Sequence, residues 1–184
     1  VKKAVEAVSG LDIEVIAPSH GLIWRKYVSE IIEKYQQWYQ NKTVKKAVIV
    51  YDTMWGATEK IAHALKSMFE EEGYQLKMCH LQHTHISDIM TEVIDAEYVC
   101  VGSPTLNNQM LPTVASFLTY LKGLAPKGRK GIAFGAYGWS GQSIPYVKEE
   151  LEKAGFEIKD VFKAKYVFDS EKMTEEMKKL KSTL

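Results

Sequence analysis

The sequence lacks the features that would connect it to nucleic acid or to a membrane. Its 184 residues carry a formal net charge of +1 and no run of lysine or arginine, so it has no electrostatic footprint for nucleic acid. No apolar run approaches the roughly 18 residues of a membrane helix, and no segment has the pattern of a signal peptide. We therefore expect a soluble cytoplasmic protein that binds neither nucleic acid nor a membrane.

Cysteine is also scarce. The chain has two cysteines, Cys79 and Cys100, and both lie in strand-like segments. Because intracellular thiols are usually reduced, we predict that both are small core residues rather than redox groups or metal ligands. The first residue is Val1 rather than methionine, and we expect the chain to be a fragment of a longer polypeptide.

The first part of the chain differs in pattern from the rest. The spacing of apolar residues predicts a short helix over residues 1–8 and an amphipathic helix over 26–40, and alternation predicts a strand over 11–16. Residues 41–43 have the composition of a linker. We predict two domains, a helix-strand-helix piece up to residue 43 and a second domain over residues 44–184.

The second domain alternates strand-like and helix-like segments, which is typical of a parallel sheet covered on both faces. The predicted strands are Lys45–Tyr51, Tyr74–His80, Glu97–Gly102, Lys130–Ala136 and a segment within Phe156–Phe168. The predicted helices run from Thr58 to Gly73, from an N-cap at Ser87 to Asp95, from Pro112 to Gly123, from Gln142 to Ala154, and from about Met173 to Leu184. The fold class is therefore α/β, a doubly wound five-stranded parallel sheet with helices on both faces.

Three loops follow the first, third and fourth predicted strands, and ligands of such sheets bind beyond the carboxyl ends of the strands. The loops comprise Thr53, Met54, Trp55, Gly56, Ala57 and Thr58; then Ser103, Pro104, Thr105, Leu106 and Asn107; then Ala136, Tyr137, Gly138, Trp139, Ser140 and Gly141. The first loop opens a helix, whose unpaired N–H groups and dipole favour an anion, and it carries hydroxyl groups. We predict that it binds a phosphate monoester.

The other two loops suit a flat polar ring. The second offers backbone groups and Asn107 to a polar ring edge, and the third offers Tyr137 and Trp139 as walls, with Trp55 as a further wall. The sequence contains neither the G-x-G-x-x-G motif of dinucleotide sites nor the G-x-x-x-x-G-K-[ST] motif of triphosphatases. A phospho-acceptor receiver domain is also disfavoured, because Gly102-Ser103 stands where its aspartate would be. These patterns favour a mononucleotide with a flat ring.

The segments Tyr51 to Lys60, Gly102 to Thr105 and Gly135 to Gly141 together resemble the flavodoxin-like domain of flavodiiron proteins. The segment Ala17 to Arg25 resembles the end of the metallo-β-lactamase-like domain that precedes it in that family. The resemblance implies a flavodoxin-like fold, FMN as cofactor with the three loops as its contacts, and His20 as a ligand of a diiron centre. Ala57 departs from the family, which usually has a polar residue there.

The resemblance further implies an oxidoreductase in the intact protein, with electrons passing from a rubredoxin-like donor through FMN to diiron, where O2 is reduced to water or NO to N2O. It implies a head-to-tail homodimer, with the remaining iron ligands upstream of Val1, so this chain would be the electron-transfer part and carry no catalytic residue. The residues alone leave open a free-standing flavodoxin, a flavodoxin-like quinone reductase, and a binding module that has lost the cofactor. His80, His83 and His85 are predicted to be exposed rather than metal-binding.

Overall fold

The computed structural model describes residues 2–8, 10–166 and 169–182 and divides the chain into two units, Val1–Lys42 and Thr43–Leu184. In the first unit, helix α1 spans Lys2–Val8 and helix α2 spans Val28–Tyr39. Val1 of the first predicted helix lies outside the described residues.

The strand predicted over residues 11–16 is wrong. Only Ile16 is paired, in an isolated antiparallel bridge with Trp24 whose two N–H···O bonds measure 3.0 and 2.8 Å. A strand is stable only where a neighbouring strand satisfies its backbone groups, and alternating apolar residues cannot supply that neighbour. Helix α2 begins two residues later than predicted, after Tyr27, which has a left-handed backbone with φ of 59°.

The second unit is a five-stranded parallel sheet with the strand order β2-β1-β3-β4-β5. Its strands are β1 Val44–Tyr51, β2 Gln75–His80, β3 Ala96–Gly102, β4 Lys130–Tyr137 and β5 Glu157–Lys165. Its helices are α3 Ala57–Glu71, α4 Ile86–Val93, α5 Pro112–Leu124, α6 Ser143–Lys153 and α7 Ser170–Lys181. The predicted alternation and fold class are confirmed, whereas Val167, Phe168 and Leu184 of the predicted elements lie outside the described residues.

Helices cover both faces of the sheet. Because successive residues of a strand point to opposite sides, each strand packs against helices on both faces. Val48 and Val50 of β1 pack in a cluster with apolar residues of α4, α5 and α6, while Ala47 and Ile49 pack in a second cluster with α3 and α7. Each fully buried large apolar side chain contributes about 1.5–3 kcal/mol. This two-sided burial explains why β1 reads as a continuous apolar run.

Local signals set most helix boundaries, with one correction. The N-cap of α4 is His85, whose Nδ1 accepts a hydrogen bond from the Ser87 backbone N–H at 3.3 Å, and not Ser87 as predicted. A ring nitrogen of histidine can accept a hydrogen bond as a serine oxygen does, so the N-cap lies two residues earlier than the composition indicated.

Both cysteines are free and buried, as predicted. Burial raises the pKa of the Cys79 thiol to about 11 and raises the pKa of the Cys100 thiol further. Among the described residues, no helix has both the length and the apolar character needed to cross a bilayer.

Candidate cofactor-binding site

The sheet topology brings three loops together at its carboxyl edge. The chain runs outward from β1 to β2 and then returns to β3 on the other side of β1, and doubly wound sheets open a crevice at such a switch point. A cleft of about 270 Å³ opens there. It is lined by Thr53, Met54, Trp55, Ala57, Thr58, Pro104, Thr105, Ala136, Tyr137, Gly138 and Tyr166.

The first loop lies between the end of β1 and the start of α3. Gly56 caps the helix with φ of 77°, a left-handed conformation that glycine adopts without strain, and it provides no capping side chain. The first N–H groups of α3 therefore have no helical acceptor and no side-chain cap at this position. The start of α3 is arranged to accept an anion.

Two hydroxyl groups in this loop are buried without a partner. Thr53 Oγ1 and Thr58 Oγ1 make no hydrogen bond within the described part of the chain, although both residues line the cleft. A buried hydroxyl left in this state costs about 1–3 kcal/mol. Two such groups beside a helix N-terminus form a set of donors suited to a phosphate group.

The buried Asp52 side chain stabilises the first loop. Its carboxylate is 2% exposed and accepts hydrogen bonds from the Thr53 backbone N–H at 2.7 Å, from Gln82 Nε2 at 2.8 Å and from the Thr113 hydroxyl. His80 Nε2 lies 4.0 Å from the same carboxylate. One buried side chain thus connects the end of β1 with the loop after β2 and with the start of α5.

The second loop is braced by hydroxyl groups. The buried Ser103 side chain accepts from the Leu111 backbone N–H and donates to the Pro104 carbonyl, both at 2.9 Å. The Ser103 carbonyl accepts from Ser143 Oγ at 3.1 Å, so Thr105 donates its proton to Ser143 Oγ at 2.8 Å. Ser103 therefore stabilises the loop, while Thr105 presents an acceptor oxygen in the cleft wall.

The tip of this loop is a tight hairpin. Leu106 and Gln109 exchange two backbone hydrogen bonds, and Asn107 and Asn108 between them both have positive φ, 49° and 59°. Asparagine tolerates this conformation, and two such residues in sequence form the turn that matches strand twist. Asn107 is exposed in the turn and does not line the cleft, and the same holds for Leu106.

The third loop contributes both aromatic and backbone surface. Tyr137 is half-buried and lines the cleft, and its ring covers Gly141, where an added Cβ would lie 3.1 Å from the ring. Trp139 is 91% exposed and is not part of the cleft lining. Ser140 donates from its hydroxyl to Asn108 Oδ1 at 3.0 Å, which ties the third loop to the second.

The structure brings many of the predicted residues together, but not all. Those that line the cleft are Thr53, Met54, Trp55, Ala57, Thr58, Pro104, Thr105, Ala136, Tyr137 and Gly138. Those that do not are Gly56, Ser103, Leu106, Asn107, Trp139, Ser140 and Gly141, which instead shape, brace or border the three loops. Two contributors were missed, Ser143 and Tyr166; a serine at the predicted start of α6 was the available signal for the first.

The cleft is uncharged. None of its eleven described lining residues is acidic or basic, so an anion there must be held by backbone N–H groups, hydroxyl groups and the helix dipole. Close by, the buried Tyr51 hydroxyl donates to Glu59 Oε1 at 3.1 Å. Burial, with a further contribution from the Glu59 carboxylate, raises the pKa of Tyr51 to about 12, so this hydroxyl stays protonated at neutral pH.

A family comparison agrees with the strand order and the position of the cleft. The profile of the flavodoxin family matches residues 49–179, well over half of the chain. This chain belongs to the flavodoxin family. Flavodoxin domains bind FMN, so the family also indicates the class of cofactor.

Relatives of this flavodoxin-family chain include larger oxidoreductases. A nitric oxide reductase of Moorella thermoacetica is 47% identical over 148 residues, which cover 80% of this chain and 37% of that protein. The structure of rubredoxin oxygen:oxidoreductase from Desulfovibrio gigas superposes with a TM-score of 0.91 at 40% identity, covering 99% of this chain and 46% of that one. A flavodiiron protein of Giardia intestinalis gives a TM-score of 0.85 at 30% identity, covering 99% and 47%.

These similarities confirm the predicted resemblance to the flavodoxin-like domain of flavodiiron proteins. The flavodoxin-family chain spans about two fifths of the length of the curated relatives it matches. The activities named for those relatives belong to polypeptides more than twice as long.

The predicted metal ligand lies in the first unit. His20 is exposed, in the first unit, and no group of three or more His, Cys, Asp or Glu residues able to hold a metal occurs among the described residues. His83 and His85 are exposed, as predicted, but the prediction is wrong for His80. The His80 ring is half-buried because it packs against Tyr51 and His83, at 5.0 and 4.8 Å between ring centroids.

Proposed function

We propose that this chain binds FMN in the cleft and serves as the electron-transfer domain of a flavodiiron protein. The observation that carries the proposal is the pair of buried hydroxyl groups, Thr53 Oγ1 and Thr58 Oγ1, without partners in the described chain at the start of α3. They are the donors that a phosphate monoester requires and that the folded chain otherwise leaves unused. A dinucleotide or triphosphate would need the glycine-rich or lysine-bearing loops that the sequence lacks.

The phosphate would be held by the first loop. Thr53 and Thr58 donate from their hydroxyl groups, and the backbone N–H groups at the start of α3 donate along the helix axis. Ala57 removes no backbone donor, because its N–H remains available. Asp52 keeps the Thr53 backbone in position through its 2.7 Å hydrogen bond.

The ring would be held by the second and third loops. Thr105 offers an acceptor oxygen whose proton is already donated to Ser143, and the nearby backbone offers further polar groups to a ring edge. Tyr137 and Trp55 offer aromatic surface, and Trp55 is 93% exposed. Bound FMN would supply one- and two-electron chemistry, while the residues of the cleft bind it, orient it and exclude water from its faces.

The proposal for the longer protein rests on its relatives. We place this domain in an oxidoreductase that reduces O2 or NO, because the names of its relatives include a nitric oxide reductase and a rubredoxin-oxygen oxidoreductase. A rubredoxin-like donor, a head-to-tail homodimer and a cytoplasmic location belong to the same proposal. His20 would ligate iron there together with residues from outside this chain, and the iron content of a His20→Ala variant of the longer polypeptide tests this assignment.

Titration of the purified 184-residue chain with FMN and with riboflavin tests the cofactor proposal. We expect one FMN per chain and at least about a hundredfold weaker binding of riboflavin, since riboflavin lacks the phosphate and forfeits several charge-assisted hydrogen bonds. Flavin fluorescence reports both equilibria. Absence of FMN binding, or equal affinity for the two flavins, would contradict the proposal.

A further inference from the structure

Tyr166 occupies a position in the cleft that neither the three loops nor the sequence pattern indicated. It follows directly after the last residue of β5, Lys165, and lines the cleft together with residues from the three loops. The carboxyl end of a fourth strand thus contributes a side chain to the same crevice.

The backbone of Tyr166 is held in an unusual conformation. Its φ is 57°, in the left-handed region that a bulky residue rarely adopts and that costs of order 1 kcal/mol or more. Its N–H donates to the Tyr137 carbonyl at 2.8 Å, one hydrogen bond beyond the pairing of Tyr137 with Lys165. This bond fixes the residue against the third loop, and a conformation of this kind persists only where its surroundings determine it.

The ring of Tyr166 covers Gly138. A Cβ added at Gly138 would lie 3.3 Å from Tyr166 Cε1, closer than most Cβ contacts, so the absence of a side chain at 138 leaves room for the ring. Lys165 Nζ lies 5.5 Å from the ring centroid. The ring is nevertheless 59% exposed, and it borders an uncharged cleft. An exposed aromatic face beside such a cleft is surface that a flat ligand can bury.

We propose that Tyr166 is a fourth contact for FMN, and that it contacts the flat ring system rather than the phosphate. This inference rests on the proposed function of the cleft. Tyr166 adds to Tyr137 and Trp55 as aromatic surface, and it follows β5 rather than one of the two strands that border the crevice. Its contribution therefore depends on the ring alone and is the same for any ligand that carries that ring.

The test compares FMN and riboflavin affinities of the full chain and of the Tyr166→Asn variant. Asparagine tolerates the left-handed backbone better than other non-glycine residues, so the variant removes the ring without adding strain. We expect the dissociation constants of both flavins to rise by about tenfold, because stacking of a flat ring on one aromatic side chain contributes about that much. Tyr166→Phe, which keeps the ring, should stay within about twofold of the parent chain. Tyr120→Ala, which removes another partly exposed tyrosine from outside the cleft lining, should leave both constants unchanged.

The outcomes separate this inference from the proposed function. If the parent chain binds FMN and Tyr166→Asn binds both flavins with unchanged affinity, the assignment of Tyr166 is overturned and the FMN site stands. A loss for FMN alone would also overturn it, because that pattern belongs to a phosphate contact. If Tyr166→Asn binds flavin with a lowered stoichiometry and an unchanged dissociation constant, part of that variant is misfolded, and Tyr166→Phe decides instead. Weaker binding by Tyr166→Phe, which keeps the ring, refutes the assignment. Parental affinity of Tyr166→Phe supports it. If the parent chain binds neither flavin, the proposed function itself fails.

Discussion

The substitution Thr58→Val should have opposite effects on the folded chain and on its complex with FMN. Thr58 is fully buried near the start of α3, and its hydroxyl has no hydrogen-bond partner within the described residues. Valine replaces that hydroxyl by a methyl group on the same branched side chain, and the two residues have similar helix propensity. Removing an unsatisfied buried hydroxyl recovers about 1–3 kcal/mol of unfolding free energy. For a chain of this size, the melting temperature should rise by roughly 2 to 10 °C without ligand.

The same substitution should weaken FMN binding. A hydrogen bond to a charged group contributes about 1.5–3 kcal/mol, so its loss corresponds to an affinity about 10- to 150-fold lower. Riboflavin affinity should not change, because the lost contact is to the phosphate. Thermal unfolding of the ligand-free chain and fluorescence titration with the two flavins measure these effects separately.

Thr105→Val is the matched control in the same cleft. The Thr105 hydroxyl is satisfied by Ser143, at 2.8 Å to its Oγ, so its removal should lower the stability of the ligand-free chain by about 1 kcal/mol instead of raising it. If Thr58→Val lowers the melting temperature as Thr105→Val does, the Thr58 hydroxyl is not an unused donor. If FMN affinity stays within about twofold, the hydroxyl is not a phosphate contact, and the reasoning about the first loop is refuted.

Two further predictions concern charged groups. Asp52→Ala should lower the unfolding free energy by about 3 kcal/mol because it leaves three donors unpartnered. Asp52→Asn should lower it by less than half of that, since the Thr113 hydroxyl can accept a hydrogen bond where it now donates one. Equal losses of unfolding free energy for the two variants in urea would contradict this role of Asp52. Lys46 Nζ lies 2.8 Å from Glu92, and its hydrogen bond lowers the pKa of Glu92 below the ordinary 4.5. A carboxyl group with a lowered pKa stabilises the fold at pH values above its unfolded-state pKa, and this stabilisation is lost as the pH falls through its folded-state pKa. Acidification from about pH 5 to about pH 3 should therefore lower the melting temperature of Lys46→Met less steeply than that of the parent chain. Parallel melting curves against pH would show that this ion pair makes no such contribution.

The elements of the second unit were predictable because their signals are local. Helix α3 shows Ile61, Leu65 and Phe69 at helical spacing, and all three are buried on one face. The apolar run of β1 is continuous because both faces of its sheet are covered. Residues 11–16 carried an equally good alternating pattern but formed no strand, since pairing depends on a neighbour that no local pattern encodes.

The position of the cleft could be predicted from the sequence, but not all of the residues that line it. The rule that ligands lie beyond the carboxyl ends of parallel strands placed the three loops correctly at one edge. It did not indicate that Ser103 would turn its hydroxyl to the loop backbone, or that Trp139 would remain outside the lining. Those orientations depend on hydrogen-bond partners and free space supplied by other segments of the chain.

By itself, the sequence determined the alternation of strands and helices, the buried strands, the start of a helix near Thr58 and the resemblance to flavodoxin-like domains, because periodicity, composition and short motifs are properties of consecutive residues. Only the tertiary structure decided which hydroxyl groups remain unpartnered, how Asp52 ties the first loop to two other elements, and that Tyr166 reaches the cleft. The reason is physical: burial, hydrogen-bond satisfaction and cleft membership are relations between residues far apart in the chain, and they are defined only once the strands have taken their order in the sheet.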